Sequence, residues 1–290
     1  MELVDLRVFV SVVENGGITK AANSLNRVPS SVTTRILQLE DSLGIKLFLR
    51  EGKRLLITSE GRTLYEYALR ILQLVREAEH QLKNTELAGL LRLGAMESTA
   101  AARLATPLAR LYKNYPRIEV ELITGSSRSL YEELLSNRLD VALIADAYYD
   151  QRFDYLEIFT EELLIIAPEG HRNIQSPIDI QKKVALTFKK GCAYRKRLLD
   201  WFKASGSEPE RVAELSSYYA ILGGISAGMG IGIIPASTLA TFSDIHTLSV
   251  HKVTPPHGRS VTSLTWRKGM FSANISALQR CLAQPNKKNE

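Results

Sequence analysis

The sequence predicts a multidomain α/β protein with an N-terminal winged helix-turn-helix, a long linker helix and a C-terminal half of two α/β subdomains. Three patterns point to it. Residues 19–43 read as two helices joined by a tight turn, with a strand pair following. Apolar residues between Leu64 and Leu82 recur at heptad spacing. From Leu90 onward, strand and helix patterns alternate, the order expected of a parallel sheet with crossover helices.

The apolar run 3–14 is expected as a first helix with a structural role. Thr19 is placed to cap a short helix through Ala21, Ala22 and Leu25, which Asn26, Arg27 and Val28 break. Pro29 suits the first turn of the next helix, where its missing N–H costs nothing. Val32, Ile36, Leu39 and Leu43 then fall on one narrow apolar stripe. Ser30, Thr33, Thr34 and Gln38 lie opposite, short enough to approach base edges or phosphates in a major groove.

Basic charge is concentrated in the same region. Lys20, Arg27, Arg35, Lys46, Arg50, Lys53 and Arg54 face only Glu40, Asp41 and Glu51, a net +4 inside a chain of net +6. After Gly44, KLFLREGKRLLITSEG reads as strand, turn at Glu51, Gly52 and Lys53, then strand, a wing whose tip carries cations for phosphates. The expected DNA-binding set is therefore Pro29, Ser30, Ser31, Thr33, Thr34, Arg35, Gln38, Arg50, Lys53 and Arg54.

Thr58 can cap a long helix in which Leu64, Ala68, Ile71, Val75, Ala78 and Leu82 alternate steps of four and three. That is the spacing of a coiled-coil seam, so these six are the expected dimerisation residues, the alternative being a helix that lies on its own domain. Beyond Gly89 the expected order is strand LLRLGA, helix STAAARLATPLARLYKNYP, strand EVELITG, helix SLYEELLSNR and strand DVALIAD. A second unit follows from Glu161, with strands ELLIIAPEG, VALTFKKG, RVAELS and IGIIPAS among helices RKRLLDWFKASG and YYAILGGISAGMG. A segment near Ser263 to Lys268 and a helix from Ser272 to Leu282 close the chain. Two such units enclose a cleft, and folds of this kind bind ligands at the carboxyl ends of their strands.

The first sixty-odd residues resemble the DNA-binding domain of LysR-type transcriptional regulators. The resemblance rests on the apolar helix from Leu6 to Val13, on Ala21-Ala22, Leu39-Glu40, Leu43-Gly44, Leu47-Phe48 and Arg50, and on Thr58 to Gly61. The family usually has glutamine and arginine where Pro29 and Thr34 stand, so base readout here is expected to lean on hydroxyls and DNA shape. Residues 90–284 are similar to the effector-binding domain of that family, whose subdomains look like periplasmic solute-binding proteins. Here the match is carried by Leu93-Gly94, Glu97-Ser98-Thr99, Tyr115-Pro116, Leu139 to Ile144 and Gly228 to Pro235.

The resemblance implies a DNA-binding domain at 1–60, a dimerising linker helix at 61–86, a hinge at 87–91, an effector domain at 92–284 and a tail at 285–290. Within the effector domain, subdomain I is expected at about 92–160 and 266–284, and subdomain II at about 161–265. Topology and resemblance together nominate Glu97, Ser98, Thr99, Ser126, Ser127, Asp146, Cys192, Tyr194, Tyr218 and Met229 as effector-binding residues. Glu97 and Asp146 favour a cationic ligand, whereas Ser98, Thr99, Arg128 and Arg195 favour a carboxylate, and the ligand's charge stays open. Implied partners are double-stranded promoter DNA, a small-molecule effector, and further copies of the chain as a homodimer or dimer of dimers.

Composition narrows the alternatives. A pI near 9.2 leans toward an anionic partner. The N-terminus, with Glu2 and no cationic segment, does not read as a secretory signal, and a cytoplasmic location is expected. Residues 215–243 carry no charge, but Gly223, Gly224, Gly228, Gly230, Gly232 and Pro235 argue against a membrane helix. Cys192 and Cys281 stand apart without ligand-like neighbours, so no metal, cofactor or disulfide is expected. GISAG at 224–228 matches a hydrolase nucleophile elbow, yet its order is helix then strand, the reverse of an elbow, and no enzyme is expected.

Overall fold

A computed structural model of the chain describes residues 1–51, 54–82, 87–147, 150–181 and 183–283. Contacts divide it into two compact units, Met1–Thr85 and Glu86–Glu290. The expected tail 285–290 and the end of the linker at 83–86 lie outside the described residues.

Unit 1 contains α1 (Leu3–Glu14), α2 (Ile18–Ser24), α3 (Pro29–Leu43), β1 (Phe48–Glu51), β2 (Arg54–Ile57) and α4 (Ser59–Leu82). Its core gathers Leu6, Phe9, Val32, Leu39, Leu47, Ala68 and Leu72. Thr19 is not a cap: α2 begins one residue earlier, with Gly17 preceding it. Thr58 does cap α4, its Oγ1 accepting the Gly61 N–H at 2.9 Å. A Cβ on Gly61 would stand 2.4 Å from the Leu47 carbonyl oxygen, so only glycine lets the start of α4 approach the wing this closely.

The structure corrects the coiled-coil reading of α4 in its first half. Ala68 is fully buried and Leu64 and Ile71 pack beside it, all three in the core of their own unit. The physical reason is drift: over two heptads a 3.6-residue helix rotates about 20° per heptad away from a 3.5 repeat, so Leu72 joins the buried face. Tyr67 and Leu74 are each 56% exposed, Ala78 is exposed and Val75 half-buried. Nothing is described of the Leu82 side chain, which lies outside the described residues.

Unit 2 opens with β3 (Ala88–Ala95), α5 (Glu97–Arg103), α6 (Ala105–Asn114), β4 (Arg117–Thr124), α7 (Ser127–Leu135) and β5 (Val141–Ala145). Ala88 already pairs with Arg117, so the stretch expected as a hinge, 87–91, is mostly strand. The single helix expected between β3 and β4 is two, because Pro107 supplies no N–H and its ring clashes with the preceding turn; it sits instead in the first turn of α6.

The second part runs through β6 (Phe153–Pro168), β7 (Val184–Thr187), α8 (Ala193–Ala204), β8 (Arg211–Glu214), α9 (Tyr218–Ser226), β9 (Gly232–Pro235) and α10 (Ala236–Leu239). It ends with β10 (Leu248–Lys252), β11 (Arg259–Arg267) and α11 (Ala273–Ala283). The main sheet has the order β10-β6-β11-β5-β3-β4, with β9 also on β6. The long β6 serves both lobes, since Phe153 to Glu162 pair with β11 whereas Leu163 to Pro168 pair with β9 and β10. Parallel β7 and β8 join the second lobe through a bridge from Ala185 to Ile231. From Thr262, β11 is already paired with β5, so the chain re-enters the first lobe earlier than the expected boundary at 265–266.

Candidate functional site

Two surfaces carry the chemistry nominated by the sequence, one in each unit. On α3, Val32, Ile36 and Leu39 are buried while Pro29, Ser30, Thr34 and Gln38 are exposed, the last three spaced by four along one face. Ser31 and Thr33 are half-buried beside them, and the Thr33 hydroxyl donates to the Pro29 carbonyl at 3.0 Å, which leaves it an acceptor. Arg35 does not belong to this face. Its Nη1 donates to Asp5 Oδ1 at 2.9 Å, tying α3 to α1. Burial alone would raise the Asp5 carboxyl, but the Glu2 N–H and the Arg35 guanidinium together hold it below its usual range.

The sequence reading missed Glu40, which positions the wing. It is buried on α3, and its Oε1 accepts the N–H groups of Leu47 at 2.9 Å and Phe48 at 3.2 Å while Lys46 Nζ reaches Oε2 at 2.7 Å. Burial would raise this carboxyl too, and those donors overcome it, leaving the pKa lowered. Lys46 therefore serves the fold as well as the local charge. The backbones of β1 and β2 pair with Arg50 opposite Leu55 and Glu51 opposite Arg54. Lys53 and the side chains of Arg50 and Arg54 lie outside the described residues.

In unit 2 a cavity of about 510 Å³ opens between the lobes. Its walls come from the ends of four strands: Glu97 and Ser98 after β3, Ser126 and Ser127 after β4, Phe188 and Lys189 after β7, and Glu214, which ends β8, with Leu215 and Ser216 beyond it. Cys192, Tyr194 and Tyr218 complete it from α8 and α9. The parallel pairs β3–β4 and β7–β8 thus both aim their carboxyl ends at one space, as ligand-binding α/β sheets do. Seven of the nominated residues line it: Glu97, Ser98, Ser126, Ser127, Cys192, Tyr194 and Tyr218.

Three do not. Thr99 is buried, but one residue further round α5 its side chain leaves the cavity wall to Glu97 and Ser98. Met229 is 46% exposed after α9 and is absent from the lining. Asp146 lines a larger, adjoining groove of about 1060 Å³ beside α8 that shares Ser127 and Cys192 with the cavity; there Arg197 donates to it at 2.5 and 2.7 Å and Ser260 at 3.0 Å. Phe188, Lys189, Glu214 and Ser216 were not foreseen, although each follows or ends a strand that was, so strand ends were the available signal.

The cavity's polar groups are poorly satisfied. Ser98 Oγ and Tyr194 Oη are buried without a hydrogen bond of normal geometry, although Ser98 lies near enough to both the Tyr194 and Tyr218 phenols to temper their shifts. Burial is the main cause of those shifts and pushes both phenols up. Burial likewise raises the free Cys192 thiol, which keeps it protonated rather than nucleophilic at neutral pH. Glu97 is raised, first by burial, while among the described residues its carboxylate accepts the Tyr218 N–H, at 3.3 and 3.4 Å.

Known proteins match both parts of the chain. The family model "Bacterial regulatory helix-turn-helix protein, lysR family" matches residues 3–62, and "LysR substrate binding domain" matches residues 84–285. The chain is 34% identical over 281 residues to the HTH-type transcriptional regulator SoxR of Arthrobacter sp. (strain TE1826), covering 97% of this chain and 95% of that one. It is 32% identical over 275 residues to the HTH-type transcriptional regulator CzcR of Bacillus thuringiensis subsp. konkukian (strain 97-27), covering 94% of each. A full-length, singly substituted OxyR from Pseudomonas aeruginosa shares the fold with a TM-score of 0.79 at 20% identity over 99% of both chains. CbnR, a LysR family transcriptional regulator, does so with a TM-score of 0.63 at 21% identity over 98% of this chain and 100% of that one.

Proposed function

Because this chain belongs to the LysR family of bacterial DNA-binding transcriptional regulators, we propose that it is switched by a small molecule held in the interlobe cavity of unit 2. The observation that carries this reading is the pair of buried hydroxyls of Ser98 and Tyr194, neither with a hydrogen bond of normal geometry among the described residues, at the converging ends of parallel strands. Leaving such groups without partners costs free energy that a polar ligand recovers on binding. The effector set is Glu97, Ser98, Ser126, Ser127, Cys192, Tyr194 and Tyr218, with Phe188 and Glu214 added.

The α3 face reads promoter DNA through Ser30, Thr34 and Gln38, with Pro29, Ser31 and Thr33 beside them and the wing cations on phosphates. Copies of the chain pair through the face of α4 left open by its own core, Tyr67, Leu74, Val75 and Ala78. No helix among the described residues is long and apolar enough to cross a membrane. The family match is what supports reading the protein as a cytoplasmic regulator and not an enzyme. Native mass spectrometry of the purified full-length chain tests the switch. A co-purified small molecule is expected, and stripping and restoring it should change affinity for the promoter. An affinity indifferent to that molecule would reduce the protein to a constitutive DNA binder.

A further inference from the structure

We infer that the ligand of the interlobe cavity carries a protonated amine and that Glu97 is the group that selects it. This rests on the reading of the cavity as the effector site. Glu97 is half-buried, and the hydrogen bonds recorded for its carboxylate come from the Tyr218 N–H at 3.3 and 3.4 Å, both longer than an ordinary charge-assisted bond. An ionised carboxylate offers about four acceptor positions, so this one retains capacity for a cation.

The remaining charges around the cavity leave that role open. Glu214 is already held by Arg195, which also donates to the Phe188 carbonyl at 3.0 Å. Lys189 is the one basic residue among the described lining, and it is exposed. Burial is the main cause of the raised Cys192 thiol and Tyr218 phenol; the charge of Glu97 adds a smaller push to each, opposed at Cys192 by Arg195. Beside it, Phe188 and Tyr218 stand edge to face with centroids 4.8 Å apart, and aromatic faces attract ammonium groups. Ser98 and Tyr194 supply hydroxyls that can accept the N–H groups Glu97 does not take. A carboxylate ligand would meet Glu97 at close range with no lining cation but Lys189 to offset it.

Three probes of matched size and different charge test this on the full-length protein by titration calorimetry: benzylamine, benzyl alcohol and benzoate. Benzylamine should bind at least about tenfold tighter than either of the others, a difference of about 1.4 kcal/mol. Glu97→Gln keeps an acceptor for the Tyr218 N–H and should erase that preference while changing benzyl alcohol affinity by less than about threefold. A wild-type preference for benzoate or benzyl alcohol overturns the inference without reference to any variant and leaves the effector site standing. So does a benzylamine preference that survives Glu97→Gln. If none of the probes binds below about 10 mM, the effector reading fails and the inference with it.

Discussion

Glu40 Oε1 accepts the backbone N–H of Leu47 at 2.9 Å, so a buried carboxylate on α3 fixes the start of the strand pair that follows. Removing it leaves the Leu47 and Phe48 N–H groups without this acceptor and Lys46 without its partner. Glu40→Ala should therefore destabilise unit 1 by about 2–3 kcal/mol, read by thermal or urea unfolding, and weaken binding to all DNA sequences alike. The pH dependence has a definite sign. Asp5 and Glu40 both have folded pKa values lowered from their ordinary 3.8 and 4.5, so their stabilisation is complete above those values and is lost as pH falls through the folded ones. Unit 1 of the Glu40→Gln variant should lose less stability on acidification than wild type.

Thr34 and Arg35 are neighbours in sequence with different surroundings. Thr34 is exposed on the face proposed to read DNA, whereas Arg35 is bound to Asp5. Thr34→Ala or Gln38→Ala should weaken operator binding by about 1–3 kcal/mol with little change on random DNA. Arg35→Ala should instead lower the melting temperature of unit 1. A fluorescence-anisotropy series with operator and scrambled duplexes separates the two effects, and equal losses on both duplexes for Thr34→Ala would remove α3 as the reader.

On α4, the contrast lies between Ala68, fully buried in its own unit, and Leu74, 56% exposed. Ala68→Glu places a charge in the core and should unfold unit 1. Leu74→Glu should leave unit 1 folded and shift the protein to smaller species in sedimentation velocity. If Leu74→Glu sediments as wild type, pairing uses another surface.

These contrasts also mark what the sequence could express. Periodicity placed α3 and its apolar stripe, the strand alternation of unit 2, and the helix-then-strand order around Ser226, because burial on one side imposes a repeat of 3.6 or 2. It could not say which face of α4 is covered, since a heptad pattern suits packing on one's own domain as well as on a partner. Nor could it reveal that Arg35 and Lys46 are each engaged by a particular acid, because charge counting carries no pairing. β6 was half-missed: its first part, FDYLEIFT, mixes polar and apolar residues as an exposed strand does, and only the apolar part LLIIAP carried a signal. In the cavity, positions just past strands were legible, but the turn of α5 that admits Ser98 and excludes Thr99 was not.

The two lobes of unit 2 are also tied together at the larger groove. Asp146 directly follows β5 in the first lobe and holds a left-handed conformation, φ 51°, that costs a non-glycine residue energy. Its carboxylate takes two bonds from Arg197 on α8 of the second lobe, and Arg197 also donates to the Pro256 carbonyl at 2.6 Å. Nearby, the Arg128 N–H at the start of α7 donates to the Gly191 carbonyl at 3.2 Å, a second tie between the lobes. Asp146→Asn removes the charge but keeps a side chain able to accept from Ser260, so it should loosen the lobes without unfolding either. With both side chains partly exposed, the effect should be near ~1 kcal/mol, enough to shift a balanced two-state equilibrium severalfold. Affinity for the co-purified ligand should fall by a similar factor, and the melting of unit 1 should not move. Wild-type ligand affinity in Asp146→Asn, measured by calorimetry, would show that the ion pair does not set the lobe equilibrium.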